Sequence, residues 1–187
     1  MMLGIRRLAC VGAVLVLAIS GLAQRQRDPL TQQEIDQLRD SAQDPDTRLK
    51  LYVVFARARL DTLEKMRADP KTKDRAQKTH DDLEDFTAVY DELNENVDTF
   101  IDRENDVRKP LKAIIEADTE FQAKLRALKS DAQTTPEELK EYDFVLTTAI
   151  ETVDSSAEDH RKDMADQEEA AKKKKLKKPD APQPTKS

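Results

Sequence analysis

Between Leu83 and Leu128 the chain keeps a rhythm that few folds can use. Steps alternating between three and four pick out Leu83, Phe86, Tyr90, Leu93, Val97, Phe100, Glu104, Val107, Leu111, Ile114, Asp118, Phe121, Leu125 and Leu128, and all but Glu104 and Asp118 are apolar. That spacing holds one stripe of an α-helix against partner helices, and the mostly charged and amide-bearing residues between suit faces in water. The pattern predicts an all-α fold: an elongated antiparallel three-helix bundle or coiled coil, with a long kinked central helix and a short N-terminal helix.

The chain opens with what reads as a leader. Arg6 and Arg7 make a basic start, Leu8 to Ile19 an apolar run, and Gly21-Leu22-Ala23 the small residues that a signal peptidase reads. Residues 1–23 are therefore expected to be removed near Ala23, and the protein exported to a periplasm or secreted. The run is short for a membrane span, which leaves a retained anchor as the alternative. Leu8-Ala9-Cys10 looks like the end of a lipobox, but it stands ahead of most of the apolar run and Arg7 sits where an apolar residue belongs. That argues against lipidation.

Beyond residue 23 there is neither cysteine nor glycine. Disulfides, zinc–thiolate sites and a cysteine nucleophile are excluded from that stretch. Phosphate-cradling loops, dinucleotide fingerprints and nucleophile elbows use glycine for positive φ or close backbone approach, so no nucleotide and no cofactor is expected. The net charge is −6, and −8 without Arg6 and Arg7. Residues 172–187 carry seven lysines against Asp180, so residues 24–171 carry −14. An acidic body repels nucleic acid and anionic lipid, and makes nucleic-acid binding an unfavoured reading. With 37% charged and 4% aromatic residues, the core has to be thin.

Residues 24–30 read as a linker and 31–171 as a helical bundle domain. Thr31 with Glu34 forms a capping box for a first helix that ends near Gln43. Asp44-Pro45 then supplies an N-cap and a first helical position for a helix over about 45–69. Its apolar run Leu51–Phe55 is expected to be covered on more than one side. A third helix starts near Thr72 or Asp74. Because the heptad phase passes Pro110 unchanged, the expectation is one kinked helix to about Ser130, roughly 85 Å long at 1.5 Å per residue. Thr135-Pro136-Glu137-Glu138 opens the last helix with a second capping box, and that helix carries Leu139, Tyr142, Leu146, Ala149, Val153, Ala157, His160 and Met164 on one stripe. Residues 172–187 form a lysine-rich helix end and a proline-containing tail expected to be disordered.

No catalytic, cofactor-binding or metal-ligating set emerges. His80 and His160 stand among acidic residues, but the Glu-x-x-His of helical di-metal sites is missing, with Gln77 and Ala157 where Glu belongs. A solvated acidic face with histidines at the core margin is the expectation. Glu104 and Asp118 are fourteen residues apart on one helix, about 20 Å, too far to act on one bond; they are read as register-setting, or as a place where the bundle opens to water. Ser155 and Ser156 have only His160 near them in sequence and no strained elbow, which argues against a serine nucleophile. Phe86, Tyr90, Phe100 and Phe121 are read as core, since their neighbours are acidic rather than basic. The one local feature that could carry a function is Lys172, Lys173, Lys174, Lys175, Lys177 and Lys178, a candidate contact for an anionic envelope surface.

The layout of leader, long charged helices and basic tail is similar to that of periplasmic helical chaperones. Those carry a small β-core for trimerisation, for which this chain offers no strands, and no motif transfers. The sequence thus points to a non-enzymatic exported bundle acting as scaffold or binding partner in the cell envelope, with a protein partner and homo-oligomerisation both in view. A holdase-type chaperone and a surface tether through the lysines are the alternatives.

Overall fold

In a computed structural model, residues 28–176 are described. The leader, the first part of the linker, Lys177, Lys178 and the proline-containing tail lie outside the described residues. Those described form five helices joined by short connections, without a strand: α1 (Gln32–Asp40), α2 (Pro45–Ala68), α3 (Arg75–Asp102), α4 (Arg108–Lys129) and α5 (Pro136–Leu176). The all-α reading holds.

Three of the helix starts were written in the sequence. Thr31 and Glu34 make the reciprocal capping box, with Glu34 N–H donating to Thr31 Oγ1 and Thr31 N–H to the Glu34 carboxylate. Asp44 accepts from Asp46 N–H and Thr47 N–H ahead of Pro45. Thr135 accepts from Glu138 N–H at 3.2 Å. The second half of that last box is not made as expected, because the Glu138 carboxylate is engaged by Arg75 and Arg67. α1 also stops short of Gln43: the buried Ser41 turns its hydroxyl back onto the carbonyls of Gln37 and Leu38.

The long kinked helix is not found. The chain leaves the helix after Asp102 and re-enters it at Arg108. Glu104 takes the left-handed conformation (φ 59°). Its N–H donates to the carbonyl of Ile101 (2.8 Å), and the next N–H, of Asn105, donates to that of Phe100 (3.0 Å). This is a Schellman cap with glutamate where glycine is usual. Pro110 then sits in the first turn of α4, where its amide would have had no intrahelical acceptor in any case, so it breaks nothing. The heptad phase survives because Val107, in the connection, is itself buried.

Breaking the long helix gives four long helices where three were expected. α2 and α3 run antiparallel, tied by Arg48 Nε to Asn96 Oδ1 (2.7 Å) and Tyr52 OH to Glu92 Oε2 (3.0 Å). α4 and α5 do the same, with Asp118 opposite His160 and Gln122 opposite Asp154. The two hairpins pack side by side so that α2 runs parallel to α4 and α3 parallel to α5. Lys109–Asp46, Arg57–Glu120 and Lys124–Asp61 advance in step along the first of these pairs. The fourteen-membered stripe remains the centre of the core, with only Glu104 and Leu128 not fully inside. Phe86, Tyr90 and Phe121 meet across it, with the Phe86 and Phe121 rings edge to face at 5.4 Å. Leu51–Phe55 is covered as expected: Tyr52, Val53 and Phe55 are buried and Leu51 partly so, while Val54 faces out.

Candidate functional site

The lysines singled out from sequence end a helix that outruns its partners. Asp118 faces His160 across the α4–α5 pair, so each step back toward the start of α4 is a step toward the end of α5. Arg108, the first residue of α4, accordingly feels the charge of Glu168. Lys172, Lys173, Lys174, Lys175 and Leu176 come after that point, and all are exposed. Lys173 pairs with Glu169 one turn back, which lifts its ammonium above the ordinary range. Consecutive residues on a helix are 100° apart, so the four lysines encircle the helix rather than lining one face.

Sequence reasoning missed the polar centre of the core. Asp118 is fully buried, and its two oxygens have separate partners on two other helices. Tyr90 OH of α3 donates to Oδ1 at 2.7 Å, and His160 Nδ1 of α5 lies 2.9 Å from Oδ2. When Asp118 is ionised its oxygens only accept, and the imidazole proton on that side is then the one on Nδ1. The His160 and Tyr90 rings also meet edge to face, 6.4 Å between centroids. Burial first, and then the Asp118 charge, push the Tyr90 phenol far above its ordinary range. Asp118 therefore does not mark an opening to water, and His160 is not at the core margin. Both stood on apolar stripes in the sequence, which was the available signal. The three groups satisfy one another out of reach of solvent, an arrangement that pins α3, α4 and α5 in register.

A second network closes the bundle end where α2 and α4 finish. The Arg67 guanidinium, 8% exposed, donates to Thr79, Glu138, Asp131 and Thr134, and lies 5.5 Å over the Tyr142 ring. Arg75, against burial and with help from Arg67, holds the Glu138 carboxyl below its ordinary range. Beside it a groove of about 260 Å³ runs between α2 and α4, lined by Leu60, Leu63, Leu125 and Leu128 with Arg67 and Lys124 at its edges. Both cations are already paired with carboxylates, Lys124 with Asp61 and Glu64.

His80 lies at the margin of the core as expected, with Nδ1 3.6 Å from Asp81 and 3.8 Å from Glu84. Those three side chains could offer one ligand atom each to a cation, but they are partly or fully exposed, like the solvated acidic face around them. Ser156 accepts from Asn94 Nδ2 at 2.9 Å, so its hydroxyl is a link between α3 and α5. Comparison of the chain with protein families, with curated proteins and with solved structures finds no match.

Proposed function

We propose that the protein is an exported, non-enzymatic helical bundle that works through its helix surfaces as a scaffold or protein-binding partner in the cell envelope. The observation that carries this reading is the closed core. The apolar stripes are inside, and the large apolar side chains exposed among the described residues are Val54, Phe144 and Leu176, scattered over two helices. A holdase needs a contiguous apolar patch of more than a few hundred Å² to hold unfolded clients, and that scatter does not supply one. The elongated outline expected of so charged a chain belongs to the same reading, and small-angle scattering checks it.

Chemical crosslinking in the native envelope, followed by purification, tests the role. A discrete and reproducible partner set supports the scaffold. A broad spread of unfolded proteins, together with binding of an apolar dye to the native protein, would favour the holdase, and no crosslinked protein at all would overturn both. A surface tether is the second reading, favoured by the exposed lysines that α5 carries past the start of α4. Deleting 172–187 should then abolish co-sedimentation with anionic vesicles; unchanged co-sedimentation rules the tether out.

A further inference from the structure

Near the start of α3 one ring nitrogen is buried with nothing to bond. His80 Nδ1 is sealed from water although the rest of the ring is partly exposed, and no hydrogen bond reaches it. A polar atom in that state has lost its water without a replacement, and a bound ion is one of the few things that accounts for it. Two carboxylate oxygens flank the nitrogen, Asp81 Oδ1 at 3.6 Å and Glu84 Oε2 at 3.8 Å. Both are beyond hydrogen-bond reach, yet the three atoms all lie within 4.8 Å of one another. An ion bonded to each at about 2.1–2.2 Å turns those gaps into ligand–metal–ligand angles of about 110–130°, near the tetrahedral value. Gln77 Nε2, one turn back, donates to Asp81 Oδ1 at 2.8 Å and steadies that carboxylate.

We propose that His80, Asp81 and Glu84 form a zinc-binding site. Nδ1 supplies the imidazole lone pair, with the ring proton on Nε2, and the two carboxylates supply oxygen and the charge that neutralises the ion. One nitrogen and two oxygens in a near-tetrahedral spread suit zinc, whereas magnesium and calcium take six or more ligands and prefer oxygen alone. The other histidine does not compete, because Nδ1 of His160 faces Asp118 inside the core. Three protein ligands leave a fourth position to water, so the site is open and its ion exchanges. The acidic body around it draws cations in. The ion also has a structural use. α3 begins after Asp74, which is left-handed (φ 54°) and makes no side-chain cap. A metal joining His80 to Glu84 staples one turn of the helix close to that uncapped start. This goes beyond the scaffold role and fails or stands independently of it.

Calorimetric titration of the purified, chelator-treated protein with zinc chloride tests the proposal. A single zinc ion should bind per chain, and magnesium chloride at the same concentration should give no saturable heat. His80→Ala, Asp81→Asn and Glu84→Gln should each weaken zinc binding about tenfold or more. Nitrogen NMR of the histidines should show His80 Nδ1, and not Nε2, responding to zinc while His160 stays unmoved. Zinc should also raise the melting temperature of the unaltered protein and leave that of His80→Ala where it was. All three side chains are partly or fully exposed, and circular dichroism checks that helicity is kept; the NMR titration of the unaltered protein decides the matter even without the variants. No saturable heat with zinc, affinity unchanged in the variants (adsorption elsewhere on the acidic face), or coordination through Nε2 would each overturn the proposal.

Discussion

Removing the Asp118 side chain should be among the most damaging single changes the bundle can suffer. Asp118→Ala leaves the Tyr90 hydroxyl and the His160 ring N–H without their acceptor, in a place where both are sealed from water. Breaking a buried pair in this way costs about 3–5 kcal/mol. That is a large share of the roughly 5–15 kcal/mol that holds a domain together. For a chain of this size it lowers the melting temperature by roughly 6–20 °C. His160→Ala should cost a similar amount, since it strands the carboxylate instead. The double variant removes both members, so its cost should fall short of the two singles combined by about 2 kcal/mol or more, within the range seen for directly coupled residues. Urea unfolding followed by circular dichroism measures all three. Additive effects, or a single-variant cost below about 1 kcal/mol, would refute the argument that these groups satisfy one another.

Three further outcomes follow from the other polar contacts. Glu138→Gln should lower stability at neutral pH by about 1–2 kcal/mol. Because the folded-state carboxyl lies below its unfolded value of 4.5, Glu138 contributes fully above that pH and its contribution is lost as the pH falls through the folded value. Stability curves of the two proteins should therefore converge in acid, and a constant gap down to low pH would contradict the assignment. Tyr52, whose phenol is pushed up to about 12 by burial (Arg48 opposing, Glu92 adding), has the opposite sign: its contribution is full below the unfolded value of 10.0 and drains away as pH rises to about 12. Tyr52→Phe should flatten part of that alkaline loss in thermal melts. Arg67→Ala should cost about 3 kcal/mol by freeing the buried side of Glu138 and Asp131, and a loss under about 1 kcal/mol in denaturant titration would show the network to be decorative.

The sequence made some of this architecture legible and hid the rest for identifiable reasons. Caps work through residues three apart, so Thr31–Glu34, Asp44-Pro45 and Thr135-Pro136 could be read directly and sit where they were expected. The apolar stripe could be read because burial imposes a period. The break after Asp102 could not, because its usual marker is glycine and none lies beyond Gly21. Glu104 fills the left-handed position instead, and Val107 carries the apolar phase across the gap. The pairing of Asp118 with His160 spans forty-two residues and depends on which helices become neighbours. Local spacing holds no trace of that, although each residue interrupts an otherwise apolar stripe. The basic helix end was visible as composition; its reach past the start of α4 depends on the packing.

Glu104 provides the most direct measurement of the central claim, that the chain reverses between Asp102 and Arg108. Its residue sits at a positive φ that carries a steric cost for any side chain and none for glycine. Glu104→Gly should therefore stabilise the protein by about 1 kcal/mol in urea unfolding. In an uninterrupted helix the same substitution would remove a good helix former from an interior position and destabilise by about 0.5–1 kcal/mol. A gain in stability is what the two-helix arrangement predicts; a loss of that size would contradict it.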